Sequence, residues 1–301
     1  MRKLALIIIP ALGLFNSTLY ALPDYDPFAD ATGSGGTSYT VGANLVGQTN
    51  AQGQGWSLAG STGAQPVISA GNLTVSGLAS SGGNSVSYGM APSSPTPTVS
   101  ARFNLGSTIN SGTIYYSMAL QVTSLGSLTT GGAFIAGFNN SAGSQSSTPS
   151  TFASRVYTRL SGTGFNVGLD LNGSTATQYA SPTYNVGDTL FLVGSYTFVT
   201  GTANDTASMW INPDSSTFGA GTAPASTLTS SSSSESDIAQ IASFMLRDGS
   251  ALEPGVIVDD LRVGASWADV TPAVPEPGTT VLCGLGFGVL ALIGWSRRSR
   301  Q

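Results

Sequence analysis

Asp259 and Asp260 stand side by side in the segment Val256–Val263 and are the chain's candidates to hold a cation. Calcium takes about six to eight oxygen ligands. Either carboxylate, helped by an asparagine and backbone carbonyls, is therefore a Ca²⁺ candidate. A competing use lies close by: Arg262, two residues beyond Asp260 and on the same side of a strand, can pair with it. The acidic groups Asp24/Asp26/Asp30 and Glu235/Asp237 lack the Asp-x-Asp-x-Asp-Gly spacing of a calcium loop. Sugar hydrolysis needs two carboxylates held about 5–10 Å apart. The two glutamates before residue 274 are Glu235, in a serine run, and Glu253, ahead of Pro254, and neither sits in a strand pattern. The chain has no His and one Cys. That removes Ser-His-Asp and Cys-His catalysis, histidine-bound zinc, an intramolecular disulfide and the Cys-x-x-Cys redox motif. Trp56, Trp210 and Trp267 have the rings to stack on sugars. Trp56 follows Gly53-Gln54-Gly55, a loop-like context, and is the sugar-stacking candidate; Trp210 lies in an alternating strand and reads as core. No catalytic residue is assigned, and no enzymatic activity is expected.

The elements that must position these groups are β-strands. Of 301 residues, 44 are Ser, 33 Thr and 39 Gly, and only 8% are charged, against about 25% in an average soluble domain. Short apolar or alternating runs lie between Gly, Asn, Ser and Pro clusters, and no long helical period occurs. The runs predict strands over Asn72–Leu78, Val99–Leu105, Thr113–Val122, Ala133–Phe138, Ser154–Leu160, Phe165–Leu171, Thr189–Phe198, Ala207–Ile211, Ile241–Leu246 and Val256–Val263. In Thr113–Val122, Ile114, Tyr116, Met118, Leu120 and Val122 form an apolar face opposite a face expected to be wet. Thr189–Phe198 is apolar on both faces and predicts a central strand. Ala91–Thr98, Asn139–Ser150 and Ser215–Ser236 read as loops too polar to order strongly. Ten or more short strands predict an all-β, two-sheet antiparallel jelly-roll sandwich.

The ends have their own chemistry. Met1-Arg2-Lys3, an apolar run to Phe15, and the small residue Ala21 describe a secretory signal peptide over 1–21, cut by signal peptidase after Ala21. At the other end, Val274-Pro275-Glu276-Pro277-Gly278 precedes an apolar stretch, 279–295, and then Arg297, Arg298 and Arg300. Seventeen residues of helix reach roughly 25 Å, enough for a thin bilayer. The arginines place that end in the cytoplasm. Prolines on either side of Glu276 keep the tripeptide extended, a form that a protease can grip. Between the ends, 22–273 form one domain with five arginines, no lysine and fourteen carboxylates, a net charge near −9. The charge argues against nucleic acid as a partner, and anionic polymers should be repelled unless cations bridge them.

The order and spacing of tripeptide, apolar stretch and arginine cluster over 274–301 resemble the PEP-CTERM sorting signal. The resemblance implies export across the inner membrane of a Gram-negative-type bacterium and processing by exosortase, with Pro275, Glu276 and Pro277 as recognition residues. It implies a final place at the cell surface, the outer envelope or the extracellular matrix, and an association with extracellular polysaccharide or biofilm. The membrane would be a partner only transiently, through 279–295. Tyr25-Asp26-Pro27-Phe28, Gly53-Gln54-Gly55-Trp56, Met209-Trp210-Ile211-Asn212-Pro213 and Ile257-Val258-Asp259-Asp260-Leu261-Arg262-Val263-Gly264 resemble secreted concanavalin A-like (laminin-G-like) modules. That resemblance implies two antiparallel sheets in which the last strand pairs with the first. The sequence thus points to a sorted surface or matrix protein with a structural or adhesive role. Its rivals are a carbohydrate-binding module without catalysis and a divergent polysaccharide hydrolase.

Overall fold

The computed structural model describes residues 22–29, 37–60, 65–80, 82–89, 99–173, 177–248 and 254–275. Ala21 and the signal peptide, the segment 91–98, and Glu276, Pro277, Gly278, the apolar stretch and the terminal arginines lie outside the described residues.

Among the described residues the strands are β1 (Asp24–Asp26), β2 (Trp56–Gly60), β3 (Val67–Ser69), β4 (Ser85–Tyr88), β5 (Val99–Ile109), β6 (Gly112–Ser124), β7 (Ala133–Asn139), β8 (Phe152–Ser161), β9 (Gly164–Asp170), β10 (Gln178–Tyr179), β11 (Thr189–Phe198), β12 (Thr206–Ile211), β13 (Leu228–Ser231), β14 (Ile241–Leu246) and β15 (Gly255–Gly264). One short helix, α1 (Trp267–Val270), follows. The strands form two antiparallel sheets, the sandwich that the sequence predicts. One runs β13-β12-β11-β6-β15-β4-β3, with β1 also paired to β15; the other runs β10-β9-β8-β7-β14-β5-β2. First and last strands meet as expected, Asp24 opposite Val263 and Asp26 opposite Leu261.

The core fills the space between the sheets because alternate residues of each strand point inward. Ile114, Tyr116, Met118, Leu120 and Val122 of β6 are all buried, and face Phe103, Phe138, Val156, Phe165 and Phe244 of the other sheet within one cluster. β11 lies between β6 and β12, the central position that its doubly apolar pattern predicts. Gly194 of β11 makes room for Tyr116: a methyl group there would lie 2.1 Å from the ring.

Three expectations are corrected. The second face of β6 is not wet at its middle, because α1 covers it: Ser117 is buried and its hydroxyl donates to the Val270 carbonyl at 2.7 Å. The segment Ser215–Ser236 is ordered by the partners it finds. It contains a 3₁₀ turn at Ser215–Thr217 and strand β13, and Phe218 packs edge-on against Phe191. Asn72–Leu78 is not a strand, since its amides bond elsewhere: Leu73 N–H donates to the Asp259 carboxylate, and Leu78 N–H closes a turn onto Val75.

Candidate functional site

The outward face of the seven-stranded sheet gathers groups that are scattered in sequence. Ala153, Val156, Val167 and Leu169 turn inward, which leaves Phe152, Arg155, Tyr157 and Arg159 of β8 on the outside. Ser154, at φ 45°, supplies the bulge that puts one extra residue between Ala153 and Val156. Register then sets Arg155 opposite Asp170, Tyr157 opposite Gly168, and Arg159 opposite Asn166. Arg155 and Asp170 make a buried ion pair at 2.5 Å, and Thr177 Oγ1 also donates to Asp170. The Arg155 guanidinium lies 5.4 Å from the Phe134 ring centroid and 5.3 Å from that of Tyr157; Arg247 lies 5.1 Å from Phe134 on the same face. Tyr179 of β10 fills the space left by Gly168, and Arg159 stacks over it at 4.1 Å. Burial pushes the Tyr179 hydroxyl up to about 12. Tyr157, Arg159, Tyr179 and Arg247 are half-buried and reach solvent.

Arg102 of β5 completes the row. Its neighbours Ala101 and Phe103 belong to the core, so Arg102 points outward. The chain between β7 and β8 crosses over it as a strap. Gly143 N–H donates to Asn104 Oδ1, Gln145 exchanges backbone bonds with Leu58 and Gly60, and Ser243 Oγ donates to the Ser141 carbonyl. Beneath that strap Arg102 is 0% exposed; Nη1 donates to Asn139 and Ser141, while Nε and Nη2 have no hydrogen-bond partner. Burial lowers its pKa, yet a guanidinium keeps its proton. The domain therefore stores a desolvated, uncompensated positive charge here. Four of the five arginines in 22–273 lie on this face. Sequence reasoning missed the grouping, because each arginine alone reads as an ordinary strand-surface residue.

Asp259 and Asp260 have structural partners. β15 changes partner from β4 to β1 at this point, and a bulge between Asp259 and Arg262 puts Asp260 at φ 53°. Asp260 Oδ1 accepts from Tyr25 at 2.5 Å and from Ser80 at 3.1 Å, and lies 3.5 Å from Arg262. The arginine also stacks 4.1 Å over the Tyr25 ring. Asp259 accepts from the Leu73 and Asp260 amides, and burial pushes its carboxyl up to about 7. Three of the four oxygens are already held by donors, and no group of three or more metal-ligating side chains occurs among the described residues. The residues present do not fit a calcium site. Arg262 pairs with Asp260, the competing use that the sequence left open.

Trp56 is corrected from sugar platform to core. It begins β2, is 2% exposed, packs 5.3 Å from Phe103, and donates its Nε1–H to Asp26 at 2.7 Å. The glycines before it belong to a tight turn, in which the Gly53 amide donates to the Asn50 carbonyl and Gly55 bridges to Thr49. Trp210 and Trp267 are buried as well; their indoles donate to the carbonyls of Pro224 and Thr217 and pin the 215–225 segment. Glu235 and Asp237, which looked isolated, line a cavity of about 420 Å³ with Phe152, Asn172 and Gly173. Nothing in the local sequence marks them, since the serine run hides the contact with Asn172.

The C-terminal exit is fixed. Ser266 and Asp269 form a capping box at the start of α1. Ala273 bridges to Leu78, and the Val274 amide donates to the Gly77 carbonyl at 3.0 Å. Val274 itself is 54% exposed. The Val274-Pro275 junction therefore leaves from the domain surface. No helix among the described residues is long and apolar enough to cross a membrane.

Residues 273–298 match the PEP-CTERM protein-sorting motif. No curated protein matches the chain in sequence. Among solved structures, the chain is similar to the endo-β-1,4-glucuronan lyase of the fungus Trichoderma reesei, at 14% identity over 72% of this chain and 97% of that one, with a TM-score of 0.42. It is similar to the globular domain of T. cruzi calreticulin, at 11% identity over 72% and 86%, TM-score 0.42. It is also similar to the lectin UEA-II in complex with galactose, at 15% identity over 69% and 97%, TM-score 0.36.

Proposed function

We propose that this chain is a cell-surface or extracellular-matrix protein whose sandwich has a structural or adhesive role on extracellular polysaccharide and performs no turnover. The premise is the sorting motif at residues 273–298, which makes the chain an exported, exosortase-sorted protein of a Gram-negative-type bacterium. Signal peptidase acting after Ala21 and transient anchoring through 279–295 belong to the same reading. The observation that supports it most directly is the exit of the chain. Val274 is the last described residue hydrogen-bonded to the domain, it lies within the matched stretch, and Pro275 opens the Pro-Glu-Pro tripeptide one residue later. The tripeptide therefore begins where the chain leaves the domain surface, at the exposed Val274. Replacing Pro275, Glu276 and Pro277 together by alanine should leave an uncleaved form in the inner membrane. Normal processing of that variant would sink the sorting claim.

A second reading is a carbohydrate-binding module without catalysis. The half-buried Tyr157 and Tyr179, set among arginines on the outward sheet face, favour it: aromatic faces pack on apolar sugar faces while cations and amides take polar groups. A divergent hydrolase is the least supported reading. Release of reducing sugar from a glycan by the purified chain would overturn the assignment as a non-enzyme.

A further inference from the structure

We infer that the outward face of the seven-stranded sheet binds an acidic polysaccharide, a polymer bearing uronate carboxylates, across strands β10 to β14. This rests on the carbohydrate-binding reading above and names the ligand class.

The net charge near −9 of residues 22–273 argues for repulsion of such polymers, but the charge is not evenly spread. Arg102, Arg155, Arg159 and Arg247 share one face. Two carboxylates stand beside these four arginines: Asp170, already held by Arg155, and Glu235, whose charge acts on Tyr157. The face is therefore a cationic stripe on an acidic body, and fields over such a stripe act locally. Its length suits a polymer. β10 and β14, short of the strap over β5, are four strand spacings apart, about 19 Å at roughly 4.8 Å each.

The two ends of the stripe differ. At the open end Arg159 lies over the half-buried Tyr179 at 4.1 Å. The ring thereby holds in place a planar fork that matches a carboxylate. At the covered end, Arg102 is 0% exposed and two of its nitrogens have no hydrogen-bond partner. It need not touch the ligand. A charge with little solvent around it is weakly screened, so it raises the potential over the stripe from beneath the strap. An anion laid along the face would offset the cost of that desolvated charge.

The test uses the full chain purified in detergent, with polygalacturonate and neutral dextran as immobilised probes. The expected result is retention on polygalacturonate and not on dextran, weakening with added salt. Arg159→Gln should weaken retention about tenfold, as expected for losing one charge-assisted contact; Arg159→Lys should recover part of it. Tyr179→Ala should weaken binding at every salt concentration. Thermal melts of each variant separate loss of binding from loss of fold. Equal retention on both probes, or polygalacturonate binding indifferent to Arg159→Gln and Tyr179→Ala, overturns the acidic-ligand site while the carbohydrate-binding reading stands. Failure to bind either probe overturns both.

Discussion

The Trp56 indole donates its Nε1–H to Asp26 Oδ2 at 2.7 Å, and this bond joins the two sheets, since Asp26 lies on β1 and Trp56 on β2. Tyr39 donates to the same oxygen at 2.6 Å, and the Phe28 amide to the other. Asp26 is thus a fully buried carboxylate satisfied by three donors, and the ring that closes over it is core. Trp56→Ala should cost about 3–5 kcal/mol in a urea titration, and Trp56→Phe less, because it keeps most of the packing with Phe28 and Phe103. A Trp56→Ala variant of unchanged stability would return the residue to the surface role that its glycine-rich flank suggested.

Three carboxylates raised by burial, Asp24, Asp26 and Asp259, set the pH dependence of stability. Burial pushes Asp24 up to about 6 and Asp259 up to about 7, against an ordinary value of 3.8. Their folded values are raised, so between about pH 4 and pH 7 the folded chain retains protons that the unfolded chain releases. The stability this contributes is complete below the unfolded value and is lost as pH rises through 6 and 7. The urea midpoint should be higher at pH 4.5 than at pH 7.5, and Asp259→Asn should flatten the slope. A midpoint that climbs toward neutrality would contradict the assignment.

Gly194→Ala places a methyl group against the buried Tyr116 ring, and should destabilise the domain by about 1–3 kcal/mol or more. Gly221→Ala, with nothing within 4 Å of the new methyl, should leave the melting temperature unchanged. Equal melting temperatures for the two variants would show that the Tyr116 packing is wrong.

The Arg155–Asp170 pair should behave as a buried ion pair. Arg155→Met alone leaves Asp170 without its 2.5 Å partner and should cost about 3–5 kcal/mol. Adding Asp170→Asn should restore part of that loss, which a double-mutant cycle reads as coupling. Additive losses would mean that the two side chains do not interact.

The long strands were legible because their signal is local. Thr189–Phe198 and Ile241–Leu246 coincide with β11 and β14, and Thr113–Val122 lies within β6. Each carries enough alternating apolar residues to mark its own burial. The short strands β1, β3, β4, β10 and β13 were not legible: two to four residues hold too little pattern, and their neighbours hold them in place. Asn72–Leu78 has the composition of a strand, but its Leu73 amide is taken by Asp259, 186 positions away in the chain.

Sequence alone determined the sorting motif, the absence of histidine and thiol chemistry from the domain, and the all-β class, because each depends on residue type and near spacing. Only the tertiary structure decided what the polar groups do. Strand register, set over long range by core burial, brought Arg102, Arg155, Arg159 and Arg247 to one face. It also drew Trp56 inward onto Asp26, and gave Asp259 and Asp260 backbone, hydroxyl and arginine partners. An average charge near −9 therefore hides a cationic stripe, since net charge is a sum and binding depends on where each charge sits.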